Sequence, residues 1–388
     1  MKQTKCLFYA LLALVMMSFA ACGDDNDDKD DKSKYQDVTV SVDDEGKTND
    51  GSLFVAIDDK NFYLDYIKYT LVESHLEVTG YDKMAFNGEA HIVSKFTFNG
   101  RTFTVLSIAD DAFRECTELT GITIPNTVTS IGKMAFYNCA ALTGITFPSS
   151  VKTIGSAAFE GCERLSSISI PSSVTSIAPT AFSWCEALDR IVVEAGNSVY
   201  DSRGNCNAII ETKTNKMIAG CPSTIIPNGV TSLEYAFMGC TRLTSIVIPN
   251  SVTTIGSHAF TCCAALEAIQ IPNSVKKIDE DAFHSCSSLT RVEIPNSVTV
   301  IGKKAFLFCR SLSVVTLSSS LVSIGDNAFM NCSSLKEIHS RMSRPVSFSY
   351  EVFDESAYER VILYIPRGSS FYYNNTANWY LFRNVEEE

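Results

Sequence analysis

Cysteine and histidine are the residue types here best suited to metal binding or nucleophilic chemistry, and the 388-residue chain holds 14 of the first and 5 of the second. Nine cysteines, Cys116, Cys139, Cys162, Cys185, Cys240, Cys263, Cys286, Cys309 and Cys332, occupy one position of a recurring text. One thiol per repeat, in a line, does not converge on a tetrahedron, so the spacing predicts a ladder of small buried side chains and not a zinc site. Cys206 and Cys221 lie together outside that text and are the one disulfide candidate, provided the chain reaches an oxidising compartment. Cys262, beside ladder Cys263, has no evident partner. His75, His91, His258, His284 and His339 share no repeat position and no HExxH motif. The sequence has no Gly-rich phosphate loop and no Cys-x-x-Cys pair. It therefore nominates no catalytic residue, no metal ligand and no cofactor, and reads as a non-enzyme.

The elements that place these residues follow from a period. Within the repeated text, Ala-Phe pairs begin at Ala112, Ala135, Ala158, Ala181, Ala236, Ala259, Ala282, Ala305 and Ala328, spaced by 23 residues except for one step of 55. A fixed period of this length marks a solenoid. Within a unit, Leu243, Ile246 and Ile248 alternate with Ser245 and Val247 before Pro249, which is a short strand with one apolar face. Pro249, Asn250 and Ser251 supply a turn, and Val252 and Ile255 before Gly256 supply a second wall. Ala259-Phe260 then opens a short helical or 3₁₀ turn whose Phe plugs the space between the walls. One coil cannot bury these side chains alone, so coils must stack at ~4.8 Å. The predicted fold is a β-rich repeat solenoid of 23-residue coils, capped at both ends.

The text Ala-Phe-x-x-Cys-x-x-Leu-x-x-Ile-x-Ile-Pro-x-x-Val-x-x-Ile-Gly, over roughly residues 105–340, is similar to BspA-like, or Treponema pallidum-type, leucine-rich repeats. It differs from the common leucine-rich repeat because its cysteine stands three residues before the leucine. The resemblance implies a surface protein that binds macromolecules in adhesion or cell contact.

The solenoid is assigned to residues 109–340, with an irregular module at 189–235 where Gly204-Asn205 stand in place of the next Ala-Phe; a hairpin-like coil is expected there. Residues 37–108 alternate apolar and polar side chains, as in Lys95-Phe96-Thr97-Phe98, and read as a β-rich N-terminal cap. Residues 341–388 hold Phe348, Tyr350, Phe353, Tyr358, Tyr364, Phe371, Tyr372, Tyr373, Trp379, Tyr380 and Phe382. These rings can seal the open end of the stack, or they can bind sugar by stacking.

Residues 1–21 carry Lys2 and Lys5, an apolar run over 7–17 and small residues before Cys22, the order of a secretory signal. Cys22 resembles the acylated cysteine of bacterial lipoproteins, although Phe19 stands where Leu is usual. Residues 22–36 would then be a lipidated cysteine and an acidic tether, with six Asp and two Lys over 23–32. An acidic stretch after such a cysteine also looks like the signal that sends Bacteroidetes lipoproteins to the outer face of the outer membrane. Loss of Lys2 and Lys5 takes the formal net charge from −12 to −14, which speaks against nucleic acid as a partner.

With Ile122 and Ile124 inward, Gly121 and Thr123 face outward, and the equivalent pairs end in Arg291/Glu293, Val314/Thr316 and Glu337/His339. Early coils offer a hydroxyl-rich strip, whereas Arg291, Glu293, Thr316, Glu337 and His339 are the candidate ligand residues. A long firm sheet suits a protein or polysaccharide better than a small molecule. The expectation is a monomeric outer-membrane lipoprotein, exposed at the cell surface and touching the membrane only through its lipid. The alternatives are a non-catalytic envelope scaffold and a glycan-binding surface protein.

Overall fold

The computed structural model describes residues 39–43, 47–98 and 100–388. The expected signal at 1–21, the Cys22 lipid site and the acidic tether to residue 36 lie outside them. Two ladders of parallel strands follow the repeats in separate sheets, joined in each coil by turns. The first ladder uses the longer strand of each unit, as in Ser167–Ile170 beside Arg190–Val193. The second uses two-residue strands, as in Ser130–Ile131, Thr153–Ile154 and Ser176–Ile177, paired in register at successive coils. The alternation read from the sequence sets the faces: Ile168 and Ile170 are buried while Ser167 and Ser169 are exposed.

On the third side the structure departs from the expected helical or 3₁₀ turn. Each Ala-Phe pair lies between residues in the left-handed region, such as His258 (φ 53°) before Ala259 and Cys262 (φ 60°) after Phe260. Left-handed residues break any helix, and the freed N–H groups turn to the neighbouring coil. Phe260 N donates to Ala282 O at 2.8 Å and Cys262 N to His284 O at 2.7 Å. Helical segments occur instead at Arg203–Asn205 and in the C-terminal region.

The phenylalanines form an offset stack through the middle. Phe113, Phe136, Phe159 and Phe182 are spaced 5.0–5.5 Å and lie within 9° of parallel. Phe237, Phe260, Phe283, Phe306, Phe329 and Phe353 form a second run at 5.1–5.4 Å. Glycine after the second strand allows the coils to close to this distance. A Cβ on Gly302 would sit 2.4 Å from the Asp279 carbonyl carbon.

The cysteine ladder is present, and it does more than fill space. Cys286 Sγ lies 3.2 Å from Phe260 O of the preceding coil, and Cys139, Cys162, Cys185, Cys263, Cys309 and Cys332 repeat that contact at 3.1–3.3 Å. The S–H is a weak donor, and it adds a second bond to a carbonyl that already accepts a backbone N–H of its own coil, as Phe260 O does from Cys263 N at 3.1 Å. All twelve described cysteines are free. Burial raises the nine ladder thiols, Cys116 to about 11, so the ladder is chemically inert. Brief alkylation of the native chain should therefore label half-buried Cys262 well before Cys263 or Cys286, as read by peptide mass spectrometry. Equal labelling would mean that the coils open locally.

The irregular module folds as an antiparallel ladder of Tyr200–Asp201, Ala208–Glu211 and Lys216–Gly220. It divides the interior into two cores. Ile209 and Cys221 pack with the N-terminal core, whereas Cys206, Ala208, Ile210 and Met217 pack with the C-terminal one. Cys206 and Cys221 thus belong to opposite cores and are both buried, unbridged thiols.

At the N-terminal end, strands from Phe54 to Tyr81 form an antiparallel meander. His75–Tyr81 then pairs parallel with Arg101–Ile108, which is itself the first rung of the second ladder. Tyr81 stacks on Phe113 at 6.0 Å and ends the ring column on that side. At the other end Tyr358 and Phe382 meet Phe353 edge-on, at 79° and 77°, so no further parallel ring is invited.

Candidate binding face

The C-terminal part of the first ladder is a five-stranded parallel sheet: Arg291–Glu293, Val314–Leu317, Glu337–Ser340, Ile362–Ile365 and Asn384–Glu387. Its register brings together all five residues nominated from the sequence. Arg291, Val314 and Glu337 are neighbours on one row, and Glu293, Thr316 and His339 on the next. Their inward companions Val292, Val315 and Ile338 are fully buried, so these rows face outward on a rigid core. Isolated bridges Val247↔Gln270 and Ala268↔Arg291 extend the rows toward the irregular module.

The sheet runs on through the C-terminal segment, where sequence reasoning placed only a cap. His339 continues to Tyr364 and Glu386. The text Tyr364-Ile365-Pro366 repeats the Ile-Pro end of the repeat strand, a signal masked by the missing Ala-Phe pair. His339 and Tyr364 stack at 4.5 Å and 9°. His339 Nδ1 lies 3.1 Å from Glu388, and its Nε2 lies 3.4 Å from Glu337. Arg341 reaches back across two strands to Glu293 at 2.7 Å. The Tyr364 hydroxyl is raised above its ordinary value, by desolvation and then by Glu386, Glu337 and Glu388. The row thus has an aromatic pair at its centre and carboxylates at both ends.

Five strands at ~4.8 Å spacing spread Glu293 and Glu386 over ~19 Å, with no walls to enclose a small molecule. Its exposed ion pairs contribute ~1 kcal/mol or less each, so they set charge pattern more than stability. The aromatic C-terminal residues separate by burial. Phe348, Phe353, Tyr358, Tyr373, Trp379 and Phe382 are interior, whereas Tyr350, Phe371 and Tyr380 are exposed. Among the described residues no group of three His, Cys, Asp or Glu is placed to hold a metal ion, and no helix is long and apolar enough to cross a membrane.

A family model described as BspA type leucine rich repeat region matches in six copies over residues 106–213 and 209–336. No curated protein matches the chain. A solved leucine-rich repeat protein from Bacteroides ovatus ATCC 8483 is 26% identical, covers 78% of each chain and has a TM-score of 0.50. The pneumococcal vaccine antigen PcpA, at 20% identity, covers 84% of this chain and 98% of its own with a TM-score of 0.57, a likeness of fold. A leucine rich cell surface protein from Faecalibacterium prausnitzii A2-165 is 26% identical over 73% of this chain and 95% of that one, with a TM-score of 0.41. Solenoids of this repeat class are generally non-catalytic and serve as binding surfaces or scaffolds. The Cys-to-Phe ladder, the 23-residue coil and a family model spanning more than half of the residues lead to one assignment: the chain belongs to the BspA type leucine-rich repeat family.

Proposed function

We propose that this protein is a lipid-anchored, surface-exposed protein of the outer membrane that binds a macromolecule along its C-terminal strand face. The observation that carries the binding reading is the in-register outward row Glu293, Thr316, His339, Tyr364 and Glu386. An extended row on a rigid frame matches a protein surface or polymer, in adhesion or cell contact, and needs only one copy of the chain. The lipid anchor rests on the small residues before Cys22 and the acidic stretch after it.

The test is binding of the chain from Ser33 onward to an array of matrix proteins, mucins and polysaccharides, at low and high salt. Saturable binding is expected, with affinity falling as salt rises because carboxylates dominate the row. Tyr364→Ala should weaken it at least ~tenfold, the loss typical of a central aromatic anchor. Silence across the array, together with protection from protease on intact cells, would favour a scaffold beneath the outer membrane.

A further inference from the structure

The turn side of the coils, away from both strand ladders, carries a groove of about 180 Å³ that spans three repeats. Tyr137 and Trp184 bound it, and Glu160, Glu163 and Glu186 line it. The two aromatics come from coils two steps apart, ~10 Å along the stack. The coil between them has Gly161 (φ +76°) where its neighbours have Asn138 and Trp184, so it sends no side chain of its own into the groove. Asn138 Oδ1 lies over that glycine, and Trp184 leans the other way, over Gly239. Trp184 is itself left-handed (φ 59°), a conformation that other coils give to Asn138, Asn331 and, as another ring, Phe308.

We propose that this groove binds a basic side chain, the ammonium of lysine or the guanidinium of arginine, presented by a protein partner. Charge complementarity identifies the occupant. None of the three glutamates has an ion-pair partner among the described residues. The same molecule shows how its surface rings are used: Arg114 lies over Tyr137 at 5.3 Å, Arg310 over Phe308 at 5.7 Å and Arg344 over Tyr372 at 5.0 Å. Trp184 has the strongest cation-attracting ring of the set, carboxylates beside it, and no guanidinium of its own chain over it. Burial raises the Glu160 carboxyl. An arriving cation would offset that desolvation.

The full chain in detergent is titrated with Nα-acetyl-lysine methylamide, Nα-acetyl-arginine methylamide, tetramethylammonium and methyl β-glucoside, followed by calorimetry and tryptophan emission. Trp379 is 1% exposed, so an emission change reports Trp184. Saturable, salt-sensitive binding of the cations is expected, with affinity at least tenfold weaker in Glu163→Gln/Glu186→Gln and in Trp184→Asn. The latter places in the left-handed site a residue that other coils already carry there, so its melting curve should match the parent. Should it fail to fold, the double glutamine variant, at two exposed positions, decides alone. Cation binding unchanged in that variant, no cation binding, or equal binding of the glucoside would each overturn the proposal.

Discussion

Phe260→Ala should destabilise the chain by about 3–5 kcal/mol, the range for truncating a buried Phe. Phe260 is fully buried and stacks at 5.2 Å on both Phe237 and Phe283, so its loss breaks the ring column in the middle of the C-terminal run. The neighbouring backbones cannot collapse into the space, because each coil is fixed by its strand register and by hydrogen bonds such as Phe260 N to Ala282 O. A solenoid passes stability between neighbours, and the hairpin module separates two cores. Hydrogen exchange in this variant should therefore accelerate most around Phe237, Phe283 and Phe306, with far less effect at Phe136 or Phe159. An unchanged urea midpoint would refute the inward placement of the ring. Uniform acceleration would show that the module couples the two cores into one cooperative unit.

This division into two cores marks the limit of what the amino-acid text conveys. A 23-residue period is visible because every coil solves the same packing problem with the same side chains, so Phe, Cys, Leu and Ile positions are legible without coordinates. The turn at Ala-Phe is less legible. Ala and Leu favour helix as isolated residues, and only the left-handed backbone at positions such as His258 and Lys304, set by hydrogen bonds to the next coil, decides against it. The role of the cysteine is hidden for a similar reason: its acceptor, such as Phe260 O for Cys286, lies 26 residues earlier. The outward rows on the strand face could be written down from alternation alone. Their continuation into Tyr364 and Glu386 could not, because the C-terminal segment keeps the strand while replacing the turn text around it with helices Glu355–Arg360 and Ser370–Asn374.

Trp379→Ala is the second large effect expected, and it separates the two readings of the aromatic C-terminal segment. A ring that stacks on sugar needs an open face, but Trp379 is 1% exposed. It meets Phe348 edge-on at 4.8 Å and Tyr373 at 5.2 Å, and its indole N–H donates to Val346 O at 2.7 Å. Truncation should cost about 3–5 kcal/mol in packing, and the abandoned Val346 carbonyl adds to the loss. The damage should spread inward, because Phe348 and Phe382 transmit the Trp379 contact to Phe353, the last ring of the column. Tyr380→Ala is the matched control. Its side chain is 58% exposed, and a surface change of this kind stays within ~0.5 kcal/mol. Unfolding followed by near-ultraviolet circular dichroism should show an early loss of the C-terminal region in the first variant and none in the second. If instead Trp379→Ala kept the parent's unfolding curve and abolished binding to a polysaccharide, the ring would be a ligand platform and the end of the stack would be sealed by Phe353, Tyr358 and Phe382 alone.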